Sequence, residues 1–462
     1  MAAKARRLLC AVALIACTTL AAPGCREEPE PVRVAVLVEC SGSLDYFRQP
    51  MLAGAQLPFI RRGAIRNGRS PDDGLTGAEA GERRVELIEG CTELGDLTLL
   101  ITETRRLIET EGADVIIGPA GETDGMVMRR IAARHPDTTF LLGASPARDA
   151  TLRRPRPNLF RFVADGAQQA AGLAAHARRD LGWRRAALVF DDLPNSWESA
   201  AGFVAEFCAL GGSVVAREVF TGSAAPDRAL AARLAHEVDG VAVVSTIFSP
   251  AQFLRAYSRH VGRLPRRLVL NGFGFTLPGA LNGLGVTPPG APPPGRIDLS
   301  GVIFGLDIPL ASERPQWRRY LRAYERAFPG LESGLVNSQL VFTHYLSTEA
   351  VARALERSGG DVGTRQHRLR AALRALAFDG PAGPVRLDRN RQAIVSVHLR
   401  RVAGRGRAVH TRPFRVVRDV EQTFAGAFDA RTPAPSRELP RCRRGPVPPW
   451  ARGWVRSARS SR

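Results

Sequence analysis

Lysine is almost missing from this chain: Lys4 stands alone, and the rest of its 65 basic residues are arginine. Against 45 acidic residues they leave a formal net charge of +20 over 462 residues. A nucleic-acid binder gathers such charge around a recognition motif or interleaved aromatics. Here aromatics make up only 6%, and the arginines run through every segment, densest over 437–462. With abundant Ala, Gly and Pro, the skew reads as the codon usage of a GC-rich genome. It excludes nucleic acid as the expected partner and leaves an attraction to anionic surfaces such as phospholipid headgroups. Cysteine is scarce too, and seven in a chain this long do not make a disulfide-stapled scaffold. Long hydrophobic runs are lacking except for one near the N-terminus, which excludes a polytopic membrane protein. The eight histidines are scattered, with no His-x-x-x-His and no Cys-x-x-Cys, so no metal site is expected. Gly143-Ala144-Ser145-Pro146-Ala147 lacks the second glycine of a nucleophile elbow. Asn271-Gly272-Phe273-Gly274 makes neither a dinucleotide loop nor a phosphate loop. Neither catalysis nor a cofactor is expected.

What the chain does have is length for two or three domains and an ordinary globular balance of 44% hydrophobic and 24% charged residues. Lys4, Arg6 and Arg7 precede an apolar stretch from Leu8 to about Ala22 that ends among small residues, the three parts of a secretory signal. Two cysteines fit a bacterial lipobox. Leu14-Ile15-Ala16-Cys17 has the better residues but a very short apolar core; Ala22-Pro23-Gly24-Cys25 has a core of normal length and leads into the tether at 26–31. Cys25 is preferred, with Cys17 as the alternative and a cleaved signal without anchor as the third reading. In each case the protein is exported.

Beyond the tether, Val32-Arg33-Val34-Ala35-Val36-Leu37-Val38 is a strand-like run, repeated at 85–89 and in Val115-Ile116-Ile117 before Gly118-Pro119. Helical spacing fills 99–110 and 125–135, and a short strand follows at 139–142. After about residue 162 the alternation restarts, with strands at 185–190, 213–220, 241–246 and 267–270 and helices at 166–181, 199–210, 228–236 and 251–261. Such alternation means parallel βαβ units, here two doubly wound units in succession. A proline-rich loop at 288–294, helices at 316–327 and 338–358 and strands at 383–387 and 394–402 complete the pattern. Cys40 and Cys91 both follow strands and fall at the same sheet end. A bridge between them would close about 50 residues and stabilise by about 4 kcal/mol in the chain-entropy model. Cys208 and Cys442 either pair or stay free.

Several segments occur in the order found in the type I periplasmic binding proteins, especially the branched-chain-amino-acid-binding branch of ABC importer receptors. They include Val115-Ile116-Ile117-Gly118-Pro119, Gly143-Ala144-Ser145-Pro146, Asn158-Leu159-Phe160-Arg161 leading to Gln168-Gln169, Ala187-Leu188-Val189-Phe190-Asp191-Asp192 and Phe378-Asp379-Gly380-Pro381. The chain resembles that family from about Val32 to Val402. The resemblance implies an α/β fold of two doubly wound parallel-sheet lobes joined by a three-segment hinge, with a small-molecule ligand closed into the cleft between them. It places 32–160 and about 272–380 in the first lobe, 161–271 and about 381–428 in the second, and leaves 429–462 as a Pro/Arg-rich tail packing little core. It also implies an ABC permease as partner.

In amino-acid-binding relatives, hydroxyls and backbone N–H groups hold the ligand carboxylate, while an acid and tyrosines meet the ammonium. Matched position by position, Gly143, Ala144 and Ser145 keep the second carboxylate loop. Glu122 stands where the family has serine, with Thr123 beside it. The family tyrosine falls near Asn195-Ser196-Trp197, with Ser196 and Trp197 as the candidates, the next aromatic at Phe248, and the acid near Gly272-Phe273-Gly274, with Gly274 as the candidate and no carboxylate there. The scaffold is kept and most α-amino-acid recognition is lost, at a cost of several kcal/mol. Each position also has a bland role: Ser145 in a turn, Trp197 covering a helix start, Phe248 in the core, Glu122 capping the helix near Gly125. Relatives often carry a first-lobe disulfide from the Cys91 position to near Ala120 or Gly121, so a Cys40–Cys91 bridge would be rewired. The expected function is a lipid-anchored solute receptor of an ABC importer. The alternative is a sensor or protein-binding regulatory lipoprotein on the same fold.

Overall fold

The computed structural model describes residues 29–276, 297–310, 314–331, 334–404 and 409–455. Cys17, Cys25 and the proline-rich run 288–294 lie outside them. No helix among the described residues is long and apolar enough to cross a membrane.

The strand Val32–Glu39 is buried everywhere except Arg33, as a β-branched run between two helix layers must be. It lies inside a six-stranded sheet, with Val34 opposite Leu87 on one side and Val115 on the other. The order is Glu79–Ala80, Arg83–Thr92, Val32–Glu39, Val115–Ile117, Thr139–Leu141, Leu159–Phe160, parallel apart from the first pair. The second sheet runs Ser213–Val219, Arg185–Phe190, Gly240–Val244, Leu268–Asn271, Ile303–Leu306, all parallel. It continues antiparallel through Ala393–Ala403, Gly383–Leu387 and Ala377–Gly380, and His410–Val420 adds to Ala393–Ala403.

Helices are started by local chemistry. The Asp96 carboxylate accepts the Thr98 and Leu99 N–H groups at the head of Leu97–Glu109, and the Ser338 hydroxyl accepts the Val341 N–H at the head of Gln339–Ser358. Gln339–Ser358 packs against Arg48–Ile60 and so belongs to the first lobe. The single helix expected over 166–181 is instead three short pieces, Gly166–Gln169, Leu173–Ala175 and His176–Asp180.

The chain crosses between lobes after Phe160, after Leu306 and before Ala377. At the first crossing Arg161 pairs with the 391–393 segment of the second lobe: its N–H donates to Arg391 O at 3.0 Å and its carbonyl accepts the Ala393 N–H at 2.8 Å. Arg161 is fully buried there, and its guanidinium donates to Ser145 O, Ala147 O and the Thr151 hydroxyl. A buried cation satisfied this way holds one geometry, because losing a partner would strand the charge.

Two expectations need correction. The second crossing does not come near residue 272, because Ile303–Leu306 pairs with Leu268–Asn271 as a strand of the second sheet. The tail is not loose over its described part: Cys442 bonds Cys208, and Ala451 and Trp454 pack into the second-lobe core with Val417 and Leu399. Apolar anchors and a disulfide outweigh its Pro/Arg composition. In the first lobe Cys40 bonds Cys91, with Cα atoms 5.3 Å apart.

Candidate functional site

Loops leaving the C-terminal ends of both sheets face one another, the usual ligand position in open α/β sheets. Two of them start at glycines that no other residue could replace. Gly118 has φ +122°, and a Cβ there would sit 2.7 Å from Leu37 Cβ; Gly272 has φ +114°, and its Cβ would meet Ser245 O at 2.2 Å. Between the loops lies a pocket lined by residues of both lobes.

The first-lobe wall is Leu44, Leu94, Ala120, Ala144 and Pro146. The second-lobe wall carries the polar groups Gln169, Asn195, Ser199 and Thr246, beside Ile247 and Phe273. Gln339 and Leu340 close the cavity from the start of the first-lobe helix. No charged side chain lines it among the described residues.

Asp191, at the end of Arg185–Phe190, shapes the second-lobe wall. One carboxylate oxygen accepts the N–H groups of Thr246, Ile247 and Phe248 at 2.8, 3.0 and 3.2 Å. The other accepts the Ser196 hydroxyl, whose oxygen lies 2.7 Å from Thr246 Oγ1. Burial pushes the Asp191 carboxyl up, opposed by the Ser196 hydroxyl and these backbone donors. In the first lobe, burial and the nearby Asp124 push Glu39 up to about 7. Glu39 is only 1% exposed, and Thr92 donates to it at 3.4 Å. Asp124 accepts from Gly95 N–H at 3.4 Å and so helps hold the loop that presents Leu94.

Of the residues singled out by sequence, only Ala144 lines the cavity. Gly143 sits behind it, where a Cβ would meet Gly118 Cα at 3.1 Å. Ser145 is fully buried; its hydroxyl faces Ala147 N–H at 3.5 Å and its carbonyl takes the Arg161 bond, so it serves the hinge. Glu122 is half-buried, and its backbone N–H donates across the cleft to Asn195 Oδ1 at 3.0 Å. Burial also pushes its carboxyl up. Thr123 is exposed and bonds Glu122. Ser196 stands one step behind Thr246. Trp197 donates to Asp192 at 3.2 Å and packs on the second-lobe core. Phe248 is 53% exposed, turned out of the site. Gly274 backs the Ser245 loop, its N–H donating to Ser245 O at 2.9 Å.

Leu44, Leu94, Thr246 and Gln339 were not singled out, and Asn195 and Phe273 lie in the two runs matched to ligand positions without being chosen from them, because nothing local says which neighbour turns inward. The one metal-competent cluster among the described residues, Cys40, Glu89 and Cys91, has its two sulfurs bonded to each other.

Two α/β lobes thus meet at a cleft lined, among the described residues, by uncharged side chains. The chain belongs to the periplasmic binding protein family, whose model matches residues 31–407. No curated protein sequence matches it. Among solved structures it is similar to an ABC transporter substrate-binding protein from Sphaerobacter thermophilus, at 23% identity and TM-score 0.70 over 85% of this chain and 99% of that one. An ABC transporter solute-binding protein from R. palustris in complex with benzoate matches at 20% identity and TM-score 0.63, over 85% and 98%. A leucine-binding protein from Thermotoga maritima matches at 20% and 0.62, over 83% and 98%. These similarities establish the fold.

Proposed function

We propose that this protein is the extracytoplasmic solute receptor of an ABC importer, handing a small, partly apolar acid or amide to a permease. The observation that carries the reading is the neutral lining: an apolar first-lobe wall opposite hydroxyl and amide side chains. Such a cleft buries an aromatic or branched aliphatic body and orients its polar end without an ion pair. A free α-amino acid fits less well, because among the described residues no carboxylate lines the cleft to meet an ammonium. Solved proteins of this fold are in complex with benzoate, 4-hydroxybenzoate and isoleucine. The lobes close on the ligand because it touches both, which stabilises the closed state by its differential affinity. The receptor is tethered at the membrane surface through lipid on Cys25, with Cys17 as the alternative.

A thermal-shift screen against aromatic acids, branched-chain acids and amides, amino acids, sugars and short peptides tests the reading. Ligand at a hundred times its dissociation constant adds about 2.7 kcal/mol to the folded state, a shift of a few degrees. Aromatic or branched acids should shift the transition, and Ala144→Phe, which fills the cavity, should abolish the shift. A flat screen on folded protein would sink the receptor reading and turn the search to protein partners. For the anchor, Cys25→Ser should release the protein from membranes and Cys17→Ser should not.

A further inference from the structure

The polar groups of the cleft are held by partners that can act in only one direction. A carboxylate accepts and a backbone N–H donates, so each fixes which face its neighbour leaves for a ligand. The Ser196 proton is committed to the Asp191 carboxylate. Thr246 Oγ1, 2.7 Å from Ser196 Oγ, must therefore give its own proton to Ser196, leaving only lone pairs. Backbone N–H groups from Thr246, Ile247 and Phe248 occupy the far oxygen of Asp191, which keeps that carboxylate an acceptor. On the opposite side, the Gln339 amide nitrogen donates to both Asp307 oxygens at 3.1 and 3.2 Å, so Oε1 is the end left over. Asn195 is set the other way: its Oδ1 accepts the Glu122 N–H at 3.0 Å, which leaves its NH₂ group. All three residues line the cavity.

We propose that the cleft selects ligands carrying a hydrogen-bond donor, a hydroxyl or an amide N–H on an apolar body, which Thr246 Oγ1 and Gln339 Oε1 accept. The Asn195 NH₂ takes an acceptor on the same molecule. This rests on the solute-receptor reading and adds its selectivity. Asp191 and Ser196 are positioning residues: they touch no ligand and act by setting the polarity of Thr246. A ligand with an ether oxygen or a bare ring edge at the same point leaves two acceptors desolvated and unpaired, the situation in which polar sites discriminate most strongly.

Matched probes test this by isothermal titration on the purified protein: 4-hydroxybenzoate, 4-methoxybenzoate and benzoate, and 3-hydroxybenzoate with its methyl ether. The hydroxyl members are expected to bind about ten- to a hundredfold more tightly than the ethers and the parent acid. Thr246→Val should bring that ratio close to one, and Thr246→Ser should restore it. Ser196→Ala, which releases the Thr246 proton to turn toward the ligand, should shrink the ratio by improving binding of the ether. These are ratios between ligands on the same variant, so a general loosening of the fold does not produce them. Equal binding of hydroxyl, ether and parent acids overturns the selectivity and leaves the receptor reading standing. An unchanged ratio in Thr246→Val overturns the assignment to Thr246. Failure of every probe to bind folded protein overturns this inference together with the aromatic-acid reading.

Discussion

The two walls of the cleft are built from equivalent loops of equivalent sheets, yet they differ in kind. The first-lobe wall offers Leu44, Leu94, Ala120, Ala144 and Pro146, with no hydrogen-bonding side chain among them. The second-lobe wall offers Gln169, Asn195, Ser199 and Thr246. Apolar burial is non-directional and grows with area, at roughly 25 cal/mol per Å², so the first lobe supplies affinity for almost any body of the right size. Hydrogen bonds are directional, so the second-lobe groups, together with Gln339 at the head of the first-lobe helix, decide orientation and identity. The walls are also held differently. A disulfide and buried acids pin the first-lobe loops, whereas a single carboxylate, Asp191, organises the 246–248 loop.

Breaking Asp191 should therefore have the largest effect. Asp191→Ala strands three backbone N–H groups and a hydroxyl, and should cost about 3 kcal/mol or more in urea unfolding, with ligand binding lost. Unchanged stability would mean the second-lobe wall does not depend on it. Glu39→Gln comes next and concerns the first lobe alone. The folded-state pKa of Glu39, about 7, lies above its ordinary value of 4.5. The acid's contribution to stability is thus complete below about pH 4.5 and lost as pH rises through 7. The variant should gain on the wild type between pH 4.5 and 8 by about 3 kcal/mol in unfolding free energy. A difference that stays flat with pH would contradict the assignment. Leu94→Ala should weaken every ligand by about 1–2 kcal/mol, roughly tenfold, while leaving the ratio between hydroxyl and ether probes untouched. Altered selectivity in that variant would blur the division between the walls. The smallest effects on binding belong to Phe248→Ala and Trp197→Phe, which should change affinity by less than about 0.5 kcal/mol because neither lines the cavity. A large loss of binding in either would place the site elsewhere.

The expectations for Phe248 and Ser145 show how far the sequence could be read at the site. Both lie in the right loops, within two residues of groups that line the cavity. A loop after a strand has no fixed period, so the inward-facing neighbour is set by what grips the backbone. Here that grip is a carboxylate 55 residues away from Thr246 and 56 from Ile247, and the hinge arginine Arg161 for Ser145. The missed strand Ile303–Leu306 has a similar cause: four residues behind a proline-rich run carry little pattern, and their identity as a strand comes from pairing with Leu268–Asn271.

The sequence by itself determined the strands, their alternation with helices and the two-lobed family fold, because apolar periodicity and β-branched runs are local properties. It also determined that no catalytic or metal-binding motif was to be expected, and it brought Cys40 and Cys91 to one sheet end. Only the tertiary structure decided which side of each loop faces the cleft, where the chain recrosses between lobes, and that the Arg-rich tail docks through Cys442, Ala451 and Trp454. Those outcomes depend on partners tens to hundreds of residues apart, and contacts at that distance leave no pattern in a local stretch of sequence.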